Sequence, residues 1–223
     1  MLIRRVFSLA RAATFVLGLG LFFVAHACVA FAAPQQQGTA GEAHGWAILY
    51  EEDPSGQGQQ FSGSVIWRTE TVKVDGKPDE LAARADVDIP SRGLHMTMSL
   101  KRNLDPSLPA DHVIDLMFKV PGDFDAGGIA NVPGVLMKAN RQAHPAPLAG
   151  LAVKVTEGSF LFELSDALAN GREHNRRLLL ERSWFDIPVV YANQRRAILA
   201  IEKGGSGKKA LRTVFMESDR AQR

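Results

Sequence analysis

Polar and non-polar residues alternate strictly along three stretches in the middle of this chain, residues 84–89, 94–101 and 114–120. A period of two is typical of a β-strand with one buried and one solvent-exposed face. The three stretches follow one another and are separated by turn residues such as Pro90 and Pro109. The pattern therefore predicts an antiparallel sheet.

Further strand patterns flank this region. They are short runs of apolar, β-branched or aromatic residues, bounded by residues typical of turns. They predict a hairpin from 46–50 and 61–74, a tight hairpin from 151–155 and 160–164, a third hairpin from 184–191 and 196–202, a short strand within a long loop at 132–137, and a last strand at 211–216.

One helix is predicted, from about Asn170 to Arg182. We expect Asn170 to cap it, with Glu173 reaching back three residues and pairing with Arg177 four residues on. Only residues 178–180 are strongly apolar, so the helix should lie at an edge or end of the sheet. The predicted fold is mainly β, an antiparallel β-sandwich-like domain with one surface helix.

The N-terminus has the pattern of a secretory signal peptide, because basic residues precede an almost entirely apolar run at 12–33. A small-residue site at 30–32 predicts a signal peptide at 1–32, a flexible leader at 33–44, a single β-rich domain at 45–217 and a tail at 218–223. The protein is then periplasmic or secreted. Two alternatives stay open: retention of residues 12–33 as a membrane anchor, and lipidation of Cys28.

Cys28 is the only cysteine in the chain. A chain cleaved after residue 32 has none, so thiol chemistry and cysteine-based metal sites are excluded for it. Its stability must come from a packed core, which about 190 residues are long enough to form.

Charge is distributed unevenly along the chain. Residues 33–171 hold 11 basic and 18 acidic residues, whereas residues 172–212 hold 10 basic and 4 acidic residues. The basic region predicts a face suited to anionic partners such as lipid headgroups or cell-wall polymers, or a helix and hairpin with solvated cations. The export signal argues against nucleic acid.

Motifs for common chemistries are incomplete. Gly204–Lys209 resembles a phosphate loop, but Glu202 and Lys209 stand where a glycine and a serine or threonine are needed, which favours a solvated turn. Asp123–Gly128 resembles the start of a calcium loop, but Gly127 and Gly134 replace oxygen ligands.

The histidines at 44, 95, 112, 144 and 174 lack metal-ligand spacing and are expected at the surface. No nucleophile elbow is present, and the Ser206-x-x-Lys209 spacing lacks its companion motifs. Adjacent carboxylates at 51–53 point in different directions on a strand end, which argues against an acid and base pair. We therefore assign no catalytic residue, no cofactor-binding residue, no metal ligand and no cofactor.

An interaction surface is predicted around the last hairpin. Trp184 and Phe185 are neighbours on a strand and face opposite ways, so one ring is a candidate for exposure, although packing under the helix is the favoured interpretation. With Arg182, Arg195 and Arg196 nearby in sequence, these residues form the composition that binding hot spots favour.

Several sequence segments resemble those of a known protein family. They are residues 50–54, 65–70, 127–134, 147–155 and 184–188, and through them the chain resembles an uncharacterised domain at the C-terminus of exported or membrane-anchored alphaproteobacterial proteins. The resemblance implies an envelope location and no catalytic residue. The order of strands, helix and hairpin is also similar to the invasion-associated locus B family of periplasmic β proteins, whose cysteines this chain lacks.

The favoured hypothesis is a non-catalytic periplasmic module that binds an unknown envelope protein or an anionic envelope component. It contacts a membrane only if the N-terminal segment is retained. One alternative is a hydrolytic enzyme whose site assembles in space from His95 or His112 and carboxylates. Another is a carrier with an apolar cavity between sheets, which Met96, Met98 and Met117 would line.

Overall fold

The computed structural model describes residues 44–53, 55–73, 76, 79–165 and 170–221. The predicted signal peptide, membrane anchor, Cys28 and leader up to residue 43 lie outside the described residues. Within them, twelve strands form one antiparallel sheet, and two helices pack against it.

The elements follow the predicted order closely up to residue 202. They are β1 (Gly45–Glu51), β2 (Gln59–Val72), β3 (Glu80–Ile89), a 3-10 turn (Pro90–Arg92), β4 (Leu94–Arg102), β5 (Ala110–Lys119), β6 (Ile129–Asn131), β7 (Leu136–Lys138), β8 (Ala146–Pro147), β9 (Gly150–Thr156), β10 (Ser159–Ser165), α1 (Gly171–Glu181), β11 (Trp184–Tyr191), β12 (Arg196–Glu202) and α2 (Gly204–Ala221).

Eleven strands run side by side in the order β8-β7-β11-β12-β1-β2-β3-β4-β5-β10-β9, and β6 pairs beside β7 on β11. The predicted class, mainly antiparallel β and sandwich-like, is confirmed. The strict alternation sorts the side chains as expected: Met96 and Met98 are buried, whereas His95 and Met117 on the opposite face are exposed. The buried set belongs to one large core that also takes in both helices.

The sheet curls back on itself, because its two edge strands, β8 and β9, are consecutive in the chain and joined only by Leu148 and Ala149. We call the place where β8 and β9 meet the seam, and Asn175 of α1, which is 2% exposed, covers it. Its side-chain oxygen accepts the Ala149 N–H (2.7 Å), and its side-chain nitrogen donates to the Ala149 carbonyl (2.8 Å). A neutral amide can do both, so α1 is fixed where the sheet ends meet.

The predicted helix is confirmed as α1, but its predicted cap is wrong. Asn170 makes no side-chain capping bond and has a φ of 65° in the left-handed region. Asparagine tolerates that conformation better than most residues, so its role is to turn the chain into the helix.

The prediction of a Gly-rich turn at 204–209 and a last strand at 211–216 is wrong, because both belong to the second helix, α2. Packing against the sheet requires one of the glycines at the start of α2. A Cβ at Gly207 would lie 2.9 Å from the Trp67 ring, so only glycine lets the helix come this close to the ring. Residues 218–221, predicted as part of a tail, form the last turn of α2.

We expect the substitution Asn175→Ala to lower the free energy of unfolding by about 1–3 kcal/mol, because the Ala149 N–H loses its only partner at the seam. Urea denaturation of both proteins measures the difference. The matched control is Asn140→Ala, which removes an exposed amide whose oxygen accepts the Gln142 N–H (3.0 Å). Equal losses for the two variants would contradict the role of Asn175.

Candidate functional site

Basic side chains surround the junction between β12 and α2. The Ser183 carbonyl, directly after Arg182, accepts a hydrogen bond from the Lys203 N–H (2.9 Å). This bond holds the end of α1 at the junction. Lys208 and Arg212 lie one turn apart on α2, close enough to Lys203 to lower its pKa. Lys209 is exposed beside them. We call Arg182, Lys208, Lys209 and Arg212 the basic corner.

The basic corner carries uncompensated charge. Among the described residues, none of its four cations forms an ion pair with a carboxylate. Most other cations of the domain do so: Arg68, Arg84, Arg92, Lys101, Arg102, Lys138, Lys154, Arg172, Arg176, Arg195 and Arg220. Clustered like charges repel one another, so a site of this kind is favourable for an anionic partner.

Lys203 lies beneath the basic corner and is completely buried. Its Nζ donates to the Leu179 carbonyl (2.6 Å), one of the last carbonyls of α1, which have no partner within the helix. Burial lowers the pKa of Lys203 to about 7, and repulsion from Lys208 and Arg212 acts in the same direction. At neutral pH this lysine is therefore partly uncharged.

Neither of the two neighbouring rings in the last hairpin is exposed, so the hypothesis of an exposed ring is not supported. Trp184 is 8% exposed and packs with Ile48 and Ala200 on the outer face of the sheet. Phe185 is completely buried in the main core and stacks on Trp67, with ring centroids 5.8 Å apart. Strand β11 is covered on both faces, which sequence alternation alone does not reveal.

The five predicted surface residues do not come together. Trp184 pairs with Glu202 and Val190 pairs with Arg196, so the two ends of the β11–β12 hairpin are about 20 Å apart. Arg182 and the two rings lie at one end, and Arg195 and Arg196 lie at the other. Arg182 belongs to the basic corner, whereas Arg196 is exposed elsewhere.

Arg195 belongs to a polar network that closes one end of the curled sheet. It donates to Asp125 (2.9 Å), which also accepts from Arg92 (2.6 Å), and Arg92 donates in turn to the buried Glu51 (3.1 Å). Hydrogen bonds from Arg92 hold the pKa of Asp125 below its ordinary value, although burial opposes this. In the loop that resembles the start of a calcium site, the Asp125 carboxylate thus binds two arginines.

The same network includes the Tyr191 hydroxyl, which donates to Glu51 (2.6 Å). Burial, together with the neighbouring Glu51, raises the pKa of Tyr191. The two arginines and two carboxylates balance in charge, which indicates a structural role.

A groove of about 970 Å³ lies on the outer face of the sheet, between the β1–β2 turn and the β11–β12 hairpin. Tyr50, Ile198 and Pro188 form its floor, because Tyr50 pairs with Ile198 across β1 and β12, and Pro188 pairs with Ile198 across β11 and β12. We call it the Tyr50 groove. β11 pairs with β7 before Pro188 and with β6 after it. Pro188 lies between these two pairings, where its lack of an N–H costs no hydrogen bond between strands.

His112 is buried, which contradicts the predicted surface position. Its Nε2 shares a hydrogen bond with the Ser218 hydroxyl (3.0 Å), and its ring lies 4.7 Å from that of Phe215. His112 lines a cleft of about 170 Å³ between the helices, but Ser218 is 5% exposed and does not line it. His112 of the predicted hydrolase thus contacts a hydroxyl and not a carboxylate in this bond, and Ser218 is too buried to serve as a nucleophile that a substrate can reach.

The other predicted chemistries find little support in the geometry. His95 Nδ1 lies 2.9 Å from Asp88 Oδ1, but both side chains are largely solvated. Met96 and Met98 are core residues and Met117 is on the opposite face, so the three cannot line one ligand cavity. In the part of the chain that the structure describes, no three His, Cys, Asp or Glu residues are grouped to hold a metal ion.

Comparisons with protein-family models, curated proteins and solved structures find no match for this chain. The resemblance to an alphaproteobacterial exported domain stays a prediction. Neither described helix has the length and apolar character needed to cross a membrane.

Sequence reasoning identified the basic region but missed its arrangement. The signal for α2 was present: residues 207, 210, 211, 214, 215 and 218 are its buried positions, and this spacing follows a helix. The Gly-rich start concealed the helix, and with it the position of Lys208, Lys209 and Arg212 beside the end of α1. The burial of Lys203 could not be predicted, because a buried lysine after a strand looks the same in the sequence as an exposed one.

We expect the buried Lys203 to make stability rise with pH. Its pKa is near 7 in the folded protein and about 10.5 in the unfolded chain, so between these values the unfolded chain binds the extra proton. The free energy of unfolding should therefore increase by a few kcal/mol from pH 7 to pH 10 in the wild type relative to Lys203→Met. Urea denaturation at several pH values measures this difference.

The control for this experiment is Lys209→Met, which removes an exposed lysine from the same helix. Its difference from the wild type should not change with pH. A pH dependence that survives in Lys203→Met would show that another group causes it.

Proposed function

We propose that this protein is an exported, non-catalytic binding module of the cell envelope, which docks on an anionic envelope component through the basic corner. The observation that carries the proposal is the contrast in pairing. Most other described cations have carboxylate partners, whereas the four at the end of α1 and the start of α2 have none among the described residues.

Clustering of this kind has an electrostatic cost that an anionic partner would offset. Lys208 and Arg212 repel one another one turn apart on α2, and both disfavour the charged form of the buried Lys203 amine beside them. A phosphate or carboxylate partner would reverse the sign of these interactions and release counterions. Each cation near an anionic surface contributes on the order of 1 kcal/mol.

The exported location rests on the N-terminal sequence pattern, since the basic residues and apolar run at 1–33 are typical of a secretory signal. A hydrolytic function has less support, because Ser218, the hydroxyl that contacts His112, is buried. The proposed partner carries a dense negative charge, as an anionic phospholipid surface does.

Replacing Lys208, Lys209 and Arg212 together with glutamine should weaken binding to vesicles that contain about one third anionic lipid. With roughly 1 kcal/mol lost per charge, the expected decrease in affinity is on the order of 100-fold. Co-sedimentation with the vesicles at low salt measures it, and rising salt should weaken wild-type binding because screening shortens the range of the attraction.

The matched control replaces Lys73, Lys119 and Arg141, three exposed cations outside the basic corner, with glutamine. It changes the net charge by the same amount and should lower the affinity by less than about threefold. An equal loss in both triple variants would mean that net charge, and not the basic corner, causes the binding.

A further inference from the structure

The Tyr50 groove is separate from the basic corner and combines an apolar floor with a charged rim. Ile198 is 40% exposed although it lies on a strand with partners on both sides. Tyr50 and Pro188 beside it are half-buried. A contiguous apolar surface within a concave site marks a place where another molecule binds.

Two carboxylates stand on the rim. Asp53 accepts hydrogen bonds from the Ser55 N–H (2.8 Å) and the Gln59 side chain (2.9 Å), which lower its pKa. Glu52 accepts the Arg196 N–H (3.1 Å) through its second carboxylate oxygen. Neither carboxylate forms an ion pair with a described cation, so both are held in position and remain available.

Arg196 also lines the groove, and Glu51, the third lining carboxylate, is paired with Arg92, so the rim keeps one negative charge in excess. The excess lies on the β1–β2 turn, next to the apolar floor. Charge complementarity therefore favours a partner in which apolar side chains stand beside a cation.

The turn side of the groove also carries the exposed amides of Gln57, Gln59 and Gln60. A side-chain amide both donates and accepts hydrogen bonds, which matches the alternating N–H and C=O groups of a polypeptide. The volume, about 970 Å³, is at the upper end for small-molecule sites, and the groove is open to solvent on an outer face of the sheet. An extended chain fits these features better than an enclosed small ligand does.

We propose that the Tyr50 groove binds an extended polypeptide segment that carries apolar side chains next to a lysine or arginine. The apolar side chains contact Ile198, Pro188 and Tyr50. The cation lies at Glu52 and Asp53, and the glutamine amides bond to the backbone of the segment.

The probe for this proposal is a phage library of random 12-residue peptides, selected on the purified full chain. Enriched peptides should combine apolar residues with lysine or arginine. A synthetic copy of the most enriched peptide should bind Ile198→Asp at least tenfold more weakly than the wild type. Glu52→Gln combined with Asp53→Asn should weaken it at least fivefold, because these changes keep the hydrogen-bond acceptors and remove only the charge.

The control is Met216→Asp, which places the same charge on another exposed apolar residue, on α2, and should leave peptide affinity unchanged. Circular dichroism and a thermal melt establish that each variant is folded. Absence of enrichment, or binding that is insensitive to Ile198→Asp, overturns the proposal. Enrichment of acidic peptides whose binding depends on Lys208, Lys209 and Arg212 also overturns it, and would instead support the function proposed for the basic corner.

Discussion

Closure of the sheet is the constraint on which the other features depend. Eleven strands curl until β8 and β9, which follow each other directly in the chain, form the two ends of the sheet. Ala149 at the join bonds to Ser165 of β10 and to Asn175 of α1. Because α1 is fixed there, its C-terminal turn contacts Lys203, directly after β12, and the basic corner forms around that contact.

Much of the fold could be predicted from the sequence, and much of the site could not. Polar and apolar residues alternate along β3, β4 and β5 because each strand has one buried and one solvent-exposed face. The local sequence therefore predicts which of their side chains point into the core. Trp184 and Phe185 lie on a strand covered on both faces, which depends on distant residues such as Ile48 and Trp67. The glycines of α2 indicated a turn, but Gly207 is set by the ring of Trp67 from a strand far away in sequence.

Buried polar groups and surface charges follow different rules in this molecule. Several buried groups are matched: Glu51 with Tyr191 and Arg92, His112 with Ser218, and Lys203 with a helix carbonyl. Unmatched buried groups would be costly, so such pairs are expected of any stable core. The charges of the basic corner and of the Tyr50 groove rim lack ion-pair partners among the described residues, and solvent exposure makes this tolerable in the absence of a binding partner.

The pairing of β1 with β12 has a consequence for how the chain reaches its native state. The Trp46 N–H bonds to the Glu202 side chain, 156 residues away, so the first described strand gains its second neighbour only from the last one. Contacts this distant in sequence slow folding, because loop closure must precede them. Until β12 forms, β1 presents an open apolar edge that can pair with other chains, so protection from aggregation matters most while the chain is folding.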